Sequence, residues 1–165
     1  MIIGGGDIAS VLKDRDDLVF FASGVSNSLE TRKTQFQREE NLLMTIPKNK
    51  HVVYFGSLSI FYLNTPYTEH KRKMEALVKS RFQNWTIVRL GNPSWGTNPN
   101  TIINYFKNRV KQGLPLEIRD EHRYIVEEEE FLHWIGMIPR WNETMNITGQ
   151  YLSIKQIVDK YVYGR

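Results

Sequence analysis

The chain contains no cysteine. That excludes disulfides and thiolate metal sites. No apolar run approaches the roughly 20 residues needed to cross a bilayer. Met1-Ile2-Ile3 leads straight into glycines, without the basic region and apolar stretch of a signal peptide. The expectation is a cytoplasmic protein with no membrane contact. Internal repeats and low-complexity linkers are also missing, so the 165 residues read as one domain over 1–165. Basic charge is not gathered into one block, its densest run being Lys71 to Lys73. The net charge is only +4, with Lys and Arg scattered along the chain. A nucleic-acid binder usually gathers such charge on one face, so no nucleic-acid partner is expected; a phosphate-bearing ligand accounts for the excess equally well. The acidic run Glu127 to Glu130 reads as the solvated start of a helix and not as a metal site. His133, among apolar residues, reads as structural. No metal site is expected.

What is present is a stretch with strong internal order, Val52 to Gly96. Val52 to Phe55 is a short apolar run of β-branched and aromatic residues, suited to a buried strand. Ser57 and Ser59 follow its end. Pro66 opens a helix, where its missing N–H costs little. Tyr67, Lys71 and Glu75 recur at four-residue spacing and so share one face of that helix. Trp85 to Leu90 reads as a second strand, broken by Gly91-Asn92-Pro93. Upstream, Met1 to Ile3 ends a strand, and Gly4-Gly5-Gly6-Asp7-Ile8-Ala9 matches G-x-G-x-x-G/A. Glycines in such a turn let the backbone approach a pyrophosphate. Ser10 to Asp14 has room for a turn or two of helix. Asp17 to Ala22 reads as a buried strand, with Ser23-Gly24-Val25 opening the loop after it, and Leu29 to Ile46 as a long helix. Downstream, Asn100 to Gln112 is an amphipathic helix closed by Gly113. Leu114 to Ile118 reads as a short strand.

The Tyr-x-x-x-Lys spacing carries chemistry. A tyrosine hydroxyl ordinarily has a pKa of about 10, and an ammonium one turn away favours the phenolate. With a serine hydroxyl nearby to orient a carbonyl or alcohol, the set can move a proton while a cofactor moves a hydride.

These blocks resemble the short-chain dehydrogenase/reductase superfamily, in its extended, nucleotide-sugar-modifying branch. That branch shows a strand ending in Ser-Ser, a Tyr-x-x-x-Lys-x-x-x-Glu helix and a strand reading Arg-Leu/Tyr-x-Asn-Pro/Val. Here these become Gly56-Ser57, then Tyr67, Lys71 and Glu75, then Arg89-Leu90-Gly91-Asn92-Pro93. Arg123 to Val126 resembles the family's late strand and Glu127 to Ile138 the helix after it, and Asn146 to Leu152 resembles its C-terminal strand, followed by a helix capped by Ser153. If Phe61 stands for the tyrosine of the family's Val-Tyr-Gly, Ser57 falls on the catalytic serine, with Ser59 as the fallback. If Tyr62 stands there, the position is Leu58. The resemblance implies Tyr67 as acid/base, Lys71 as the cation that favours its phenolate and holds the nicotinamide ribose, and Ser57 as the hydrogen-bond donor to the reacting oxygen. It implies that Gly4, Gly6 and Ile8 line a pyrophosphate, that Ala22, Ser23 and Gly24 line the middle of the cofactor, and that Asn92 and Pro93 lie on its nicotinamide side. The cofactor would be NAD or NADP and the substrate a nucleotide-linked sugar of the kind used in polysaccharide biosynthesis. The Tyr67 helix and the Leu29 to Ile46 helix would pack across a homodimer. Asn41 could match an asparagine of the latter helix in the family, or be an exposed helical asparagine.

Two departures bear on this. The loop between serine and tyrosine is short. More important, a full Rossmann half carries two further strands after the glycine turn, the first ending in an acidic residue for the adenosine ribose. This chain passes almost directly from that turn to Asp17 to Ala22, and Asp14, Asp16 and Asp17 come too early to substitute. The expected fold is therefore α/β, a reduced Rossmann-like fold with a mostly parallel sheet that lacks part of the adenosine-side half. The alternative function is a non-catalytic nucleotide or nucleotide-sugar binding member, or a subunit partnering a complete enzyme.

Overall fold

Five strands of the computed structural model, which describes residues 1–165, pair in the order β1-β2-β3-β4-β7, all parallel. They are β1 (Ile2–Ile3), β2 (Val19–Phe21), β3 (His51–Ser57), β4 (Asn84–Leu90) and β7 (Glu143–Ile147). Strands buried on both faces need continuous apolar sequence. Val52 to Phe55 and Ile87 to Val88 supply it, and all six side chains are buried. Helices α1 (Asp7–Val11) and α5 (Glu128–Gly136) lie on one face, where Phe131, Ile135 and Leu12 pack against Phe20, Val53, Phe55 and Val88. Helices α2 (Lys33–Met44) and α3 (Pro66–Arg81) cover the other, with Leu43, Met74 and Val78 against Phe21, Tyr54 and Ile87.

A second, three-stranded sheet is formed by β5 (Asn92–Pro93), β6 (His122–Val126) and β8 (Gln150–Ser153), with β6 and β8 antiparallel. It packs on α4 (Ile102–Lys111), α6 (Ile154–Ile157) and the π-type turn Val158–Tyr163 through Ile103, Phe106, Ile125 and Ile157. This is the small accessory part of the molecule.

The strand order shows what is reduced. A complete doubly wound sheet reverses its order about the first strand, and ligands sit in the crevice at that reversal. Here the order runs in one direction from β1, and β1 is an outer edge. The short link from Val11 to Val19 leaves no chain for two more strands.

Several expected boundaries change. The first helix spans Asp7–Val11 and not Ser10 to Asp14, because Gly6 takes the extended N-cap position directly after the glycine turn. The helix expected from Leu29 begins at Lys33: Glu30 folds back to accept the Thr31 and Arg32 N–H groups, holding residues 29–32 as a turn. Strand β3 continues through Ser57 and does not stop at Phe55, since its ladder with β4 runs to the Ser57–Leu90 pair. Leu114 to Ile118 is not a strand. Pro115 has no N–H to donate, the Arg109 guanidinium binds its carbonyl at 2.9 Å, and Leu114 and Ile118 are exposed. Asn146 to Leu152 is not one strand either. Gly149 turns the chain at φ +64° against the Ile125 carbonyl, so β7 and β8 belong to different sheets. The last helix does begin with Ser153 accepting from Gln156 N–H. His133 is exposed and not enclosed by its apolar neighbours. The outer faces of α2 and α3 are polar, with Lys33, Gln37 and Asn41 on one and Glu69 and Lys73 on the other. No helix is long and apolar enough to cross a membrane.

Candidate active site

The residues singled out from the sequence converge on the carboxyl ends of the parallel strands. Gly4 and Gly6 follow β1, Ala22 to Gly24 follow β2, Ser57 ends β3, and Asn92-Pro93 follow β4. Helix α3 brings Tyr67 and Lys71 to the same end, because its N-terminus follows β3 by a single 3₁₀ turn, Leu58–Phe61. Thr65 starts α3 with a reciprocal capping box to Thr68, and Pro66 occupies the first turn. The apolar and aromatic stripe Tyr67, Met74 and Val78 turns that face inward, and His70, Lys71 and Glu75 are buried with it.

At the glycine turn, Gly4 has φ +131°, and a Cβ there would lie 2.3 Å from the Ala22 carbonyl oxygen. Only glycine lets β1 close on β2 in this way. Gly5 and Gly6 leave open space where a Cβ would stand, so the turn keeps room beside its backbone. Asp7 ties the turn to the loop after β5. Its carboxylate accepts from Thr97 N–H at 3.0 Å and Asn98 N–H at 2.9 Å, and its carbonyl accepts from Trp95 Nε1 at 3.0 Å. Asn92, in β5, donates to the Tyr124 carbonyl of β6 at 3.1 Å.

Ser57 and Ser59 hydroxyls are 2.7 Å apart, and Ser57 Oγ also accepts from Ser59 N–H. The alternative register would put buried Leu58 at the position. Glu75 and Arg89, the outer members of the two motifs, form a two-pronged ion pair at 3.0 and 2.8 Å. Asn41 is exposed and accepts from Gln37.

Lys71 is where the structure adds most to the sequence. Its ammonium lies 5.6 Å from the centre of the Tyr67 ring. Its hydrogen bonds go elsewhere, to the Tyr54 hydroxyl at 3.2 Å and to Glu39 Oε1 at 3.3 Å. Glu39 is fully buried on α2. It also accepts from the Tyr54 hydroxyl at 2.7 Å and from Val25 N–H at 2.8 Å, and its Oε2 lies 2.9 Å from His70 Nε2. Burial by itself would raise the Glu39 carboxyl. The Lys71 charge and the bonds from His70, Val25 and Tyr54 outweigh that and hold it down to about 2. Burial, and then the Glu39 charge, push the Tyr54 hydroxyl well above its ordinary value, so it stays protonated and donates. His70 is fixed on its other side by stacking on Phe36, ring centres 4.4 Å apart.

Glu39, Tyr54 and His70 were not among the residues expected at the site. His70 falls on the inward stripe of α3, and Glu39 lies three residues after Phe36 and four before Leu43, on the inward stripe of α2. The spacing held that signal, but a carboxylate in an apolar stripe reads as buried only once its partners are known.

No protein-family model and no curated protein matches the chain. Solved structures do. The Bordetella bronchiseptica enzyme WbmG, in complex with NAD and UDP, is 15% identical with a TM-score of 0.69, the match covering 88% of this chain and 56% of that one. A UDP-N-acetylglucosamine 4-epimerase from Methanobrevibacter ruminantium, in complex with UDP-N-acetylmuramic acid, is 16% identical with a TM-score of 0.64, over 91% and 60% of the two chains. A dTDP-glucose 4,6-dehydratase from Bacillus anthracis, in complex with NAD, is 14% identical with a TM-score of 0.65, over 87% and 56%. The chain thus spans somewhat over half the length of these structures. Over that length it has the fold of the sugar-nucleotide epimerases and dehydratases, in a shortened Rossmann-like form.

Proposed function

We propose that the chain acts as an NAD(P)-dependent oxidoreductase, epimerase or dehydratase on a nucleotide-linked sugar. The observation that supports this reading is that Ser57 ends β3 and that α3, which carries Tyr67 and Lys71, begins after one 3₁₀ turn at the same end of the sheet, where Gly5 and Gly6 after β1 leave open space at their Cβ positions. The similar folds solved with NAD and with UDP-linked ligands support the same class. The open backbone at Gly5 and Gly6 fits a pyrophosphate. Gly4, Gly6 and Ile8 would flank the pyrophosphate, Ala22 to Gly24 the middle, and Asn92-Pro93 the nicotinamide side. The bound dinucleotide would supply hydride transfer. Tyr67 would exchange the proton of the reacting hydroxyl, Ser57 would orient that oxygen, and Lys71 would favour the phenolate and hold the ribose.

Tyr67→Phe is the direct test, assayed with NAD(H) or NADP(H) and a panel of UDP- and dTDP-hexoses. Loss of turnover of at least a hundredfold is expected; full turnover would end this assignment.

The second reading, a non-catalytic nucleotide-sugar binder or a subunit of a complete enzyme, is favoured by the strand order. With β1 at the edge, the adenosine side of a dinucleotide has no wall in this chain. Calorimetric titration with NAD(H) and NADP(H) separates the two. Micromolar binding of either supports the first reading, and binding of a UDP-sugar alone supports the second.

A further inference from the structure

The Glu39 carboxylate gathers four donors from three other parts of the chain: Val25 N–H in the loop after β2, the Tyr54 hydroxyl on β3, and His70 and Lys71 on α3. A carboxylate has about four acceptor positions, so Glu39 is saturated. Arg38, next to it on α2, donates to the Ser23 carbonyl at 3.0 Å. Helix α2 thus holds the segment Ser23 to Val25 at two points. Gly24, between them, passes so close to the lysine that a Cβ would lie 2.8 Å from Nζ and 3.0 Å from Glu39 Oε1. The loop that would line a cofactor and the lysine that would hold its ribose are therefore set against each other through a single carboxylate.

An ammonium has three N–H donors. Two are engaged, by Tyr54 and Glu39. The third is the only one left for a ligand or for Tyr67. A lysine tethered in this way has lost most of its rotamer freedom before a ligand arrives.

We infer that Glu39 is a positioning residue. It fixes the Lys71 ammonium with one donor free, and holds the Ser23 to Val25 loop over it, so that the dinucleotide meets a lysine already in place. This rests on the dinucleotide reading above. A buried carboxylate that only supported the fold would stabilise the protein without acting through Lys71, and a double-mutant cycle tells the two apart.

The four proteins are the wild type, Glu39→Gln, Lys71→Met and the double variant. NADH and NADPH are titrated into each by fluorescence. Acting through Lys71, E39Q weakens binding by roughly tenfold, K71M does about the same, and the double variant binds no more weakly than K71M. Losses that multiply to roughly a hundredfold, or E39Q binding as tightly as wild type, would overturn the inference. If E39Q does not fold, Glu39→Asp takes its place, since the shorter acid keeps the charge but not the reach.

A second measurement is independent of any ligand. A tethered buried ammonium exchanges slowly enough to give a side-chain cross-peak in ¹⁵N-correlated NMR spectra. The Lys71 signal, assigned by its absence in K71M, should be present in wild type and lost in E39Q or E39D. Its persistence in both would overturn the positioning role. If the wild type binds no dinucleotide at all, the cofactor reading fails while the NMR result still decides whether Glu39 holds Lys71.

Discussion

Gly24 lies directly over the Lys71 ammonium, with a Cβ position 2.8 Å from Nζ. The amine that an added methyl would crowd is held by Tyr54 and Glu39, and Glu39 Oε1 is itself 3.0 Å from that Cβ position. Gly24→Ala should therefore cost about 1–3 kcal/mol, the range for forcing an extra methyl into a packed interior. In a Lys71→Met background the side chain ends one atom sooner, and the cost should shrink. Urea unfolding of the four proteins measures both values. Equal costs in the two backgrounds would mean that the crowding is not at Lys71.

Asp7 is a second tether, because it joins the glycine turn to the loop after β5. Two backbone N–H groups and one indole converge on it. Asp7→Ala removes both carboxylate bonds and should cost about 1–3 kcal/mol, as for hydrogen bonds to a charged group. Amide exchange at Thr97 and Asn98 should speed up in this variant, while exchange in β3 changes no more than the global stability requires. Unchanged exchange at those two residues would show that the loop is held by packing of Trp95 against Phe131, whose rings lie 5.2 Å apart, and not by Asp7.

Much of this architecture could be read from the residues. The glycine turn, the Tyr67–Lys71 helix and the buried strands announce themselves by composition and spacing, although the stretch Asp17 to Ala22 yields only Val19–Phe21 as strand, with Asp17 in an exposed turn. The missing strand pair is legible as a simple shortage of chain between Gly6 and Asp17. What the sequence conceals is pairing at a distance. Glu39 meets Val25, Tyr54, His70 and Lys71 across separations of 14 to 32 residues, and no local pattern marks such partners. The same holds for Gly149. It looks like an interruption in one strand, yet it separates two sheets because its close approach to Ile125 is a tertiary fact. Leu114 to Ile118 misleads for the opposite reason. Its alternating apolar residues suit a strand, but Pro115 and the Arg109 clasp on its carbonyl prevent a ladder.

Arg89 and Glu75 link the two family-like motifs to each other, and their pair is largely buried, the side chains being 17% and 7% exposed. Removing one partner of such a pair leaves an uncompensated charge. Arg89→Met should cost about 3 kcal/mol. The double change to Arg89→Met with Glu75→Gln should recover most of that loss, since it removes both charges at once. Gly56 packs beside Glu75, with a Cβ position 2.9 Å from Oε1, so the pair cannot reorganise in that direction. Chemical denaturation of the single and double variants reads the coupling directly. A double variant no more stable than Arg89→Met would show that the pair is held by water and not by its own charges.

Acid should find the Glu39 network. Its carboxyl is held at about 2 against an ordinary 4.5. The folded value lies below the unfolded one, so the stabilisation is present above about pH 4.5 and is lost as pH falls toward 2. At about 1.4 kcal/mol per pH unit, the whole effect is about 3 kcal/mol, of which about 2 kcal/mol is gone by pH 3. Glu30 is also held near 2, by hydrogen bonding to Arg32, and it contributes to any overall acid sensitivity. The comparison must therefore be with a protein that differs only at the network. Glu39→Gln combined with Lys71→Met has neither buried charge and keeps Glu30 intact. Between pH 6 and pH 3 the wild type should lose about 2 kcal/mol more stability than this variant, measured by urea unfolding at each pH. Parallel losses in the two proteins would mean that protonating Glu39 costs the fold nothing, and that the bonds from Val25, Tyr54 and His70 hold its carboxyl in place without its charge.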